Sequence, residues 1–409
     1  MQRSHLFWQI VVRTFFGIPG LSLASHAFSM ELEIQKPTNV NKPGFLFAHE
    51  DGSDSVLLVT SFAPFSKDAI FEIKNQSAES PSARSISLVT DAITWPNEVK
   101  ALPSSLGAKN WVSVAGGFLV PGKGQGNISL LNLESGKVVK ITNTPNVFYH
   151  RVEWYDMNHD GRLDIVTARA NKPMIGAATS EMLWLEQPES LFTGEWIEHS
   201  MIKGPDVYFR GSDLDHDGNV DFLAAEFFGK KLSFIHQDRN TKEWKRAIID
   251  DTIGSGFDLS FVDLNLDGKT DVLLTNHEKD AEKAAVFAYE IPDNLETKWK
   301  RHTLLAHIPT TQGGIGQASP GEAIAFSPSK ALESSKPWIA IAGDGSQKLW
   351  LLEPESQDSD DWNYKASTPL ETKSTIGRIE ITDFNHDGYR EIHVPAYDDN
   401  LVYTLYFHE

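Results

Sequence analysis

The stretch Asp156-Met157-Asn158-His159-Asp160-Gly161-Arg162-Leu163-Asp164, running on into Ile165-Val166-Thr167, decides the fold because it comes back three more times. The returns are DLDHDGNVDFLA from Asp213, DLNLDGKTDVLL from Asp263 and DFNHDGYREIHV from Asp383. The first three copies are spaced by roughly 50–60 residues, and the last interval is about twice that, so a unit lacking the motif sits near residues 320–355. Two further units of similar length fit ahead of Asp156. One begins near Gly44 and the other near Lys100. Four motif-bearing units and three degenerate ones give seven.

A second pattern runs in phase with the first. An aromatic strand, an acid or proline, a polar spacer and a Trp strand recur: Trp184 and Trp196, Phe234 and Trp244, Tyr289 and Trp299, and, in the unit that lacks the acidic loop, Trp350 and Trp362. The segments are short, rich in Val, Ile, Leu and aromatics, and bounded by Gly, Asn, Asp or Pro, which is how strands read. No stretch beyond the first 27 residues keeps helical periodicity over three turns. Four short strands per unit, repeated with aromatic motifs, predict an all-β, seven-bladed β-propeller with four-stranded blades starting near 44, 100, 152, 209, 259, 320 and 379. The strand from Leu401 to Phe407 is expected to close the ring against an early strand and so remove a free sheet edge. Tryptophans that repeat in phase with strands are expected in the core, not as sugar platforms.

Each motif reads D-x-[D/N]-x-D-G-x-x-[D/E]. Calcium is a hard ion that takes six to eight oxygens, and side chains at positions 1, 3 and 5 can converge on one ion when glycine at position 6 lets the backbone turn sharply. Position 7 would add its carbonyl and position 9 a carboxylate. The predicted ligands are Asp156, Asn158, Asp160, Arg162 and Asp164 in the first loop, and Asp213, Asp215, Asp217, Asn219 and Asp221 in the second. The third offers Asp263, Asn265, Asp267, Lys269 and Asp271, and the fourth Asp383, Asn385, Asp387, Tyr389 and Glu391. One such loop would be a weak signal, since D-x-N-x-D-G also forms Asx-turns without metal. Four in register, each leading into an apolar strand, predict about four Ca²⁺ sites. An EF-hand would need Glu at position 12 and flanking helices, whereas position 12 is Thr167, Ala224, Leu274 and Val394.

These loops and the strands they enter, LDIVTAR and VDFLAAEF among them, resemble FG-GAP/VCBS repeats, the repeat of integrin α-chain heads and of many secreted propellers. The GFLF and GGFLV segments fit the same likeness, which spans about residues 40–409. The resemblance implies seven blades with calcium in the loop between a blade's first two strands, all on one rim. The first three units depart from the pattern: His49-Glu50-Asp51-Gly52 is a remnant. The likeness speaks to fold and metal, not to function.

Bulk composition narrows the classes. A formal net charge of −19 argues against nucleic acid as a partner, which needs a basic face, and disfavours an anionic membrane surface. With no cysteine, disulfides, thiolate zinc sites and thiol catalysis are excluded. Residues 1–27 read as a signal peptide ending in Ser25-His26-Ala27, with Arg13 interrupting its apolar run, so the chain is expected to be secreted, without a membrane span once the leader is removed, and a monomer. Asn75-Gln76-Ser77 and Asn127-Ile128-Ser129 are glycosylation sequons.

If the acidic loops line one face, the opposite face gathers the loops that enter each inner strand. Polar residues expected there are His150, Arg151, Arg169, Tyr208, Arg210, Glu226, Asp258, His277, Glu322, Arg378, Tyr397 and Asp398. Of these, Arg151, Arg169, Arg210, Asp258, Arg378 and Tyr397 are the candidate ligand contacts, suited to a carbohydrate or anionic group. His159, His216 and His386 at loop position 4 read as exposed, because each lies in a different unit. No G-x-S-x-G, H-E-x-x-H, P-loop or dinucleotide fingerprint is present. The reading that results is a calcium-binding ligand or adhesion module, taking a glycan or an extracellular protein. A carbohydrate-active lyase or dehydratase is the alternative, with His277 and Glu226 as its acid–base pair.

Overall fold

The computed structural model describes residues 10–11, 29–51, 54–74, 84–173, 175–311, 314 and 316–409. Apart from Ile10–Val11, the expected leader lies outside the described residues, as does the Asn75 sequon. The described chain is nearly all strand. Its only helical pieces are the 3₁₀ turns Ser104–Leu106 and Lys330–Leu332. No helix among the described residues is long and apolar enough to cross a membrane.

Six consecutive blades are antiparallel four-stranded sheets in chain order, whose innermost strands are Pro43–Asp51, Pro96–Ala101, Phe148–Tyr155, Tyr208–Ser212, Gly256–Val262 and Ala323–Phe326. The seventh blade is made from both ends of the chain. Glu380–Thr382, Glu391–Ala396 and Leu401–His408 form three strands, and Ser29–Ile34 adds the fourth, with Glu31 opposite His408 and Ile34 opposite Leu405; Ile10–Val11 pairs with the far side of Ser29–Ile34. The expected early partner of the Leu401 strand is therefore Ser29–Ile34, and Thr38–Asn39 also pairs with its start.

The core is not one mass but seven seams, one between each pair of neighbouring blades. Val166, Met182, Phe209 and Phe222 fill the seam between blades 3 and 4, and Leu223, Leu259, Val272 and Trp299 the next. The last seam, between blades 7 and 1, holds Val40, Leu46, Val59, Phe384 and Val402. Alternation along each strand sends successive side chains to opposite faces of a blade, so strands buried on both faces read as nearly continuous apolar runs such as Trp338–Ala342. Of the phased aromatics, Trp196, Tyr289 and Trp299 are buried, while Trp184, Trp244, Trp350 and Trp362 are half-buried against neighbouring seams.

Phe209 is fully buried in its seam, so Phe209→Ala should lower unfolding stability by about 3–5 kcal/mol. Ile197→Ala, at an exposed outer-edge position, should change it by less than about 0.5 kcal/mol. Urea denaturation midpoints at unchanged slope would check both.

Candidate functional site

Two sets of side chains converge in this fold, at opposite ends of the inner strands. The first is the four acidic loops, each joining the first and second strands of its blade. Their backbones match. Position 4 adopts a left-handed conformation at His159, His216, Leu266 and His386 (φ 58°, 56°, 59° and 56°), and the glycine at position 6 does so again at Gly161, Gly218, Gly268 and Gly388 (φ 87°, 88°, 84° and 86°). A left-handed leucine is costly, so the turn geometry overrides the residue placed in it.

Inside each loop the carboxylates curl back on the turn. The position-9 carboxylate accepts the position-2 N–H at 3.0 Å in every case: Met157 to Asp164, Leu214 to Asp221, Leu264 to Asp271 and Phe384 to Glu391. Asp160, Asp217, Asp267 and Asp387 accept the N–H two residues on. In the second loop, carboxylate oxygens of Asp213, Asp215 and Asp221 all lie within 4.8 Å of one another. In the third and fourth, Oδ1 of Asp263 and of Asp383 is buried with no hydrogen-bond partner among the described residues. Burial, with neighbouring acids adding to it, pushes Asp221 and Asp271 up to about 7 and raises Asp164 and Glu391. Clustered carboxylates with bare inward oxygens fit a hard cation. His159 and His216 are exposed and lie in separate loops; Nε2 of His159 meets Oδ1 of Asn219 in the next loop at 3.1 Å.

The second set surrounds the propeller axis at the start of the inner strands. Arg151, Tyr208, Asp258 and Arg378 each stand five positions ahead of their loop's first aspartate, and all four border one small cavity of about 50 Å³. Register slips at Pro96/Glu98, Tyr149/Val152 and Gly256/Asp258 are β-bulges, and residues at them border the same cavity. Glu98, Glu322 and Asp344 complete its charged lining, and Phe45, Phe47 and Phe257 its aromatic one.

The charges form two ion-paired clusters, one on Arg151 and one on Arg378. Arg151, 4% exposed, binds Glu98 at 2.7 Å and Glu153 at 2.8 Å, and stacks on the Tyr208 ring at 4.0 Å. Glu153 also takes Lys100 at 2.6 Å and Arg210 at 2.7 Å. Arg378 pairs with Glu322 at 3.1 Å and Glu380 at 3.0 Å, over the Phe47 ring at 4.4 Å. Burial alone would raise the Glu153 carboxyl, yet Arg151, Lys100 and Arg210 outweigh it and hold it down at about 2. Glu322 goes the other way. Burial, reinforced by Asp258 and Glu380 against the pull of Arg378, pushes it up to about 8. Burial, with Arg151 beside it, lowers His150 to about 4.

Several expected residues lie elsewhere. Arg169 ties Glu181 to Glu198 within blade 3, at 2.7 Å each, away from the cavity. Arg210 lies deeper along the axis, on Glu153. The Tyr397 hydroxyl donates to the Phe62 carbonyl at 2.7 Å, and Asp398 accepts from Thr375, so both are spent on loop packing. Glu226 and His277 are not partnered with each other. Glu226 is buried among Ser233, Arg246 and Lys231, while His277 hydrogen-bonds the Pro320 carbonyl, stacks on Phe257 and has Asp344 as its nearest carboxylate, at 3.9 Å. Glu98, Glu153, Asp344 and Glu380 were missed. The first, second and last carry the signal that betrays the others, a charged residue at alternating positions of an inner strand otherwise apolar.

A scan against family models and a search of curated proteins both return no match. Among solved structures, the chain resembles an oxidoreductase of glucose dehydrogenase description from Thermus thermophilus (10% identity, TM-score 0.44, covering 78% of this chain and 97% of that one). It also resembles an auxiliary nutrient binding protein from Bacteroides thetaiotaomicron (10%, 0.47, 91% and 78%) and a luciferin-regenerating enzyme (10%, 0.42, 90% and 95%). Likenesses this distant carry no functional argument.

Arg151→Met should destabilise the fold by about 3–5 kcal/mol, because it strands the buried Glu98 carboxylate and takes one of three cations from Glu153, and adding Glu98→Gln should restore part of the loss. A double-mutant cycle in urea reads this directly. Because the folded-state Glu153 carboxyl is depressed, its contribution is fully present above its unfolded value and fades as pH falls from about 4.5 towards 2. Stability of Glu153→Gln should therefore lose less over that window than the parent chain does.

Proposed function

We propose that this chain is a calcium-stabilised β-propeller of the FG-GAP/VCBS type, secreted, and working as a binding module for a small polar ligand at its axial mouth. The observation that carries the metal is the recurrence of one left-handed turn, with inward carboxylates, in four blades. The residues that would hold the ions are those at positions 1, 3, 5 and 9 of each loop, with the carbonyls of Arg162, Asn219, Lys269 and Tyr389. The ions would neutralise carboxylates that otherwise repel one another, and the loops would then brace the rim.

Support for a sugar or other polyol comes from the cavity lining, which combines ring faces (Phe45, Phe47, Tyr208, Phe257) with polar and charged groups (Arg151, Asp258, Glu322, Arg378). Rings cover apolar faces of such a ligand and charged groups take its hydroxyls. The cavity itself is narrow, so the ligand would rest at its mouth and send one group inwards. A second reading, a lyase or dehydratase, draws on one observation: His277 and Asp344 sit together beside the cavity, and burial raises the Asp344 carboxyl to about 6, within reach of proton exchange near neutral pH.

Chelation tests the metal. EGTA should lower the thermal midpoint and excess Ca²⁺ restore it, since each site at a hundredfold excess over its Kd adds about 2.7 kcal/mol. An unchanged midpoint, with no calcium retained on the purified chain, would overturn the proposal. Glycan-array binding without turnover favours the module. Turnover lost in His277→Ala and Asp344→Asn, at unchanged thermal midpoint, favours the enzyme.

A further inference from the structure

We propose that the axial cavity is itself a cation site, holding one divalent ion between Asp258 and Glu322, separate from the four rim loops. Each of these carboxylates has one oxygen committed and one bare. Asp258 Oδ2 accepts the Ala323 N–H at 3.1 Å, and Glu322 Oε1 is held by Arg378 at 3.1 Å. Asp258 Oδ1 and Glu322 Oε2 are buried, without any hydrogen-bond partner among the described residues, and both residues border the same cavity. Asp258 is 3% exposed. A bare buried carboxylate oxygen forfeits its hydration with nothing in return, and two such oxygens, in residues that border one void, mark a place for something positive.

The charge count points the same way. Among the described residues, six carboxylates belong to the axial network (Glu98, Glu153, Asp258, Glu322, Asp344, Glu380) against four bases (Lys100, Arg151, Arg210, Arg378). All four bases are committed to Glu98, Glu153, Glu322 and Glu380. None of the four forms an ion pair with Asp258, and Asp344 has only His277 at 3.9 Å. With the histidines neutral and all six carboxyls ionised, as they would be around a bound ion, the set carries two negative charges in excess, which that divalent ion offsets.

The size agrees. A cavity of about 50 Å³ has room for roughly four water-sized centres. One ion with two carboxylate oxygens and a few waters reaches the six ligands that calcium accepts. The neighbouring guanidinium groups do not compete for the space, since Arg151 is drawn onto Tyr208 and Arg378 onto Phe47. Carried at the base of the ligand mouth, the ion would present open coordination positions to a ligand hydroxyl or carboxylate. The inference is independent of the loops, which could be metal-free with the axial site filled.

The test counts ions. The full chain, stripped with chelator and dialysed against CaCl₂, should retain one calcium more per chain than Asp258→Asn/Glu322→Gln, as read by atomic emission. Asp213→Asn/Asp217→Asn, in the second loop, should leave that axial ion in place. Crystals of the unaltered chain soaked in TbCl₃ should give an anomalous peak between Asp258 and Glu322, and this measurement decides alone if the double variant does not fold. Equal calcium counts in a folded double variant, or a terbium map with peaks only at the rim and water in the cavity, would overturn the proposal.

Discussion

Seven sheets stacked around an axis bury apolar surface only at the seams they share, and a ring has as many seams as blades only when it closes. Here closure rests on the ladder between Ser29–Ile34 and Leu401–His408, which joins the two ends of the described chain in one sheet. Opening it would leave the seam of Val40, Leu46, Phe384 and Val402 without an anchored wall and expose a sheet edge on each side. Six other seams would persist, but each blade's register to the next would lose the constraint that fixes the circle. The other features described depend on this, because both the rim loops and the axial residues are brought together by the ring and not by any one blade.

The axial network follows from the same geometry. Inner strands converge at the axis, and their inward side chains have nowhere to go but towards one another. A purely apolar choice would fill the channel. This chain instead places paired charges there, with Arg151 and Arg378 each clamped by two carboxylates and flattened against a ring. Buried ion pairs of this kind are poor sources of net stability relative to apolar packing, so their presence at the axis points to use.

The fold was open to sequence reasoning because repetition supplies its own control: four copies of a loop in phase with aromatic strands leave few architectures. The closing partner of Leu401–His408 was harder, since SMELEI at Ser29 carries no motif and lies just past the expected leader. At the axis the legible signal was a polar residue where the chain enters each inner strand, which picked out Arg151, Tyr208, Asp258 and Arg378. Asp344 stayed hidden because it sits in the turn between the second and third strands of blade 6, where an aspartate is ordinary turn chemistry. Glu226 misled for a related reason. It ends a second strand, as a rim residue would, yet its carboxylate turns to Ser233, Arg246 and Lys231, which nothing in the local pattern reveals.

The ladder between Glu31 and His408 also sets a timetable. On the ribosome Ser29–Ile34 emerges long before Leu401–His408, so Leu32 and Ile34 travel without that partner while six blades accumulate beside them. Contacts this distant in sequence are slow to form and are exposed to wrong partners in the interval. Clasping of the first strand by the last is therefore the natural late event in maturation, and a second nascent copy, offering the same strand, is its most direct competitor.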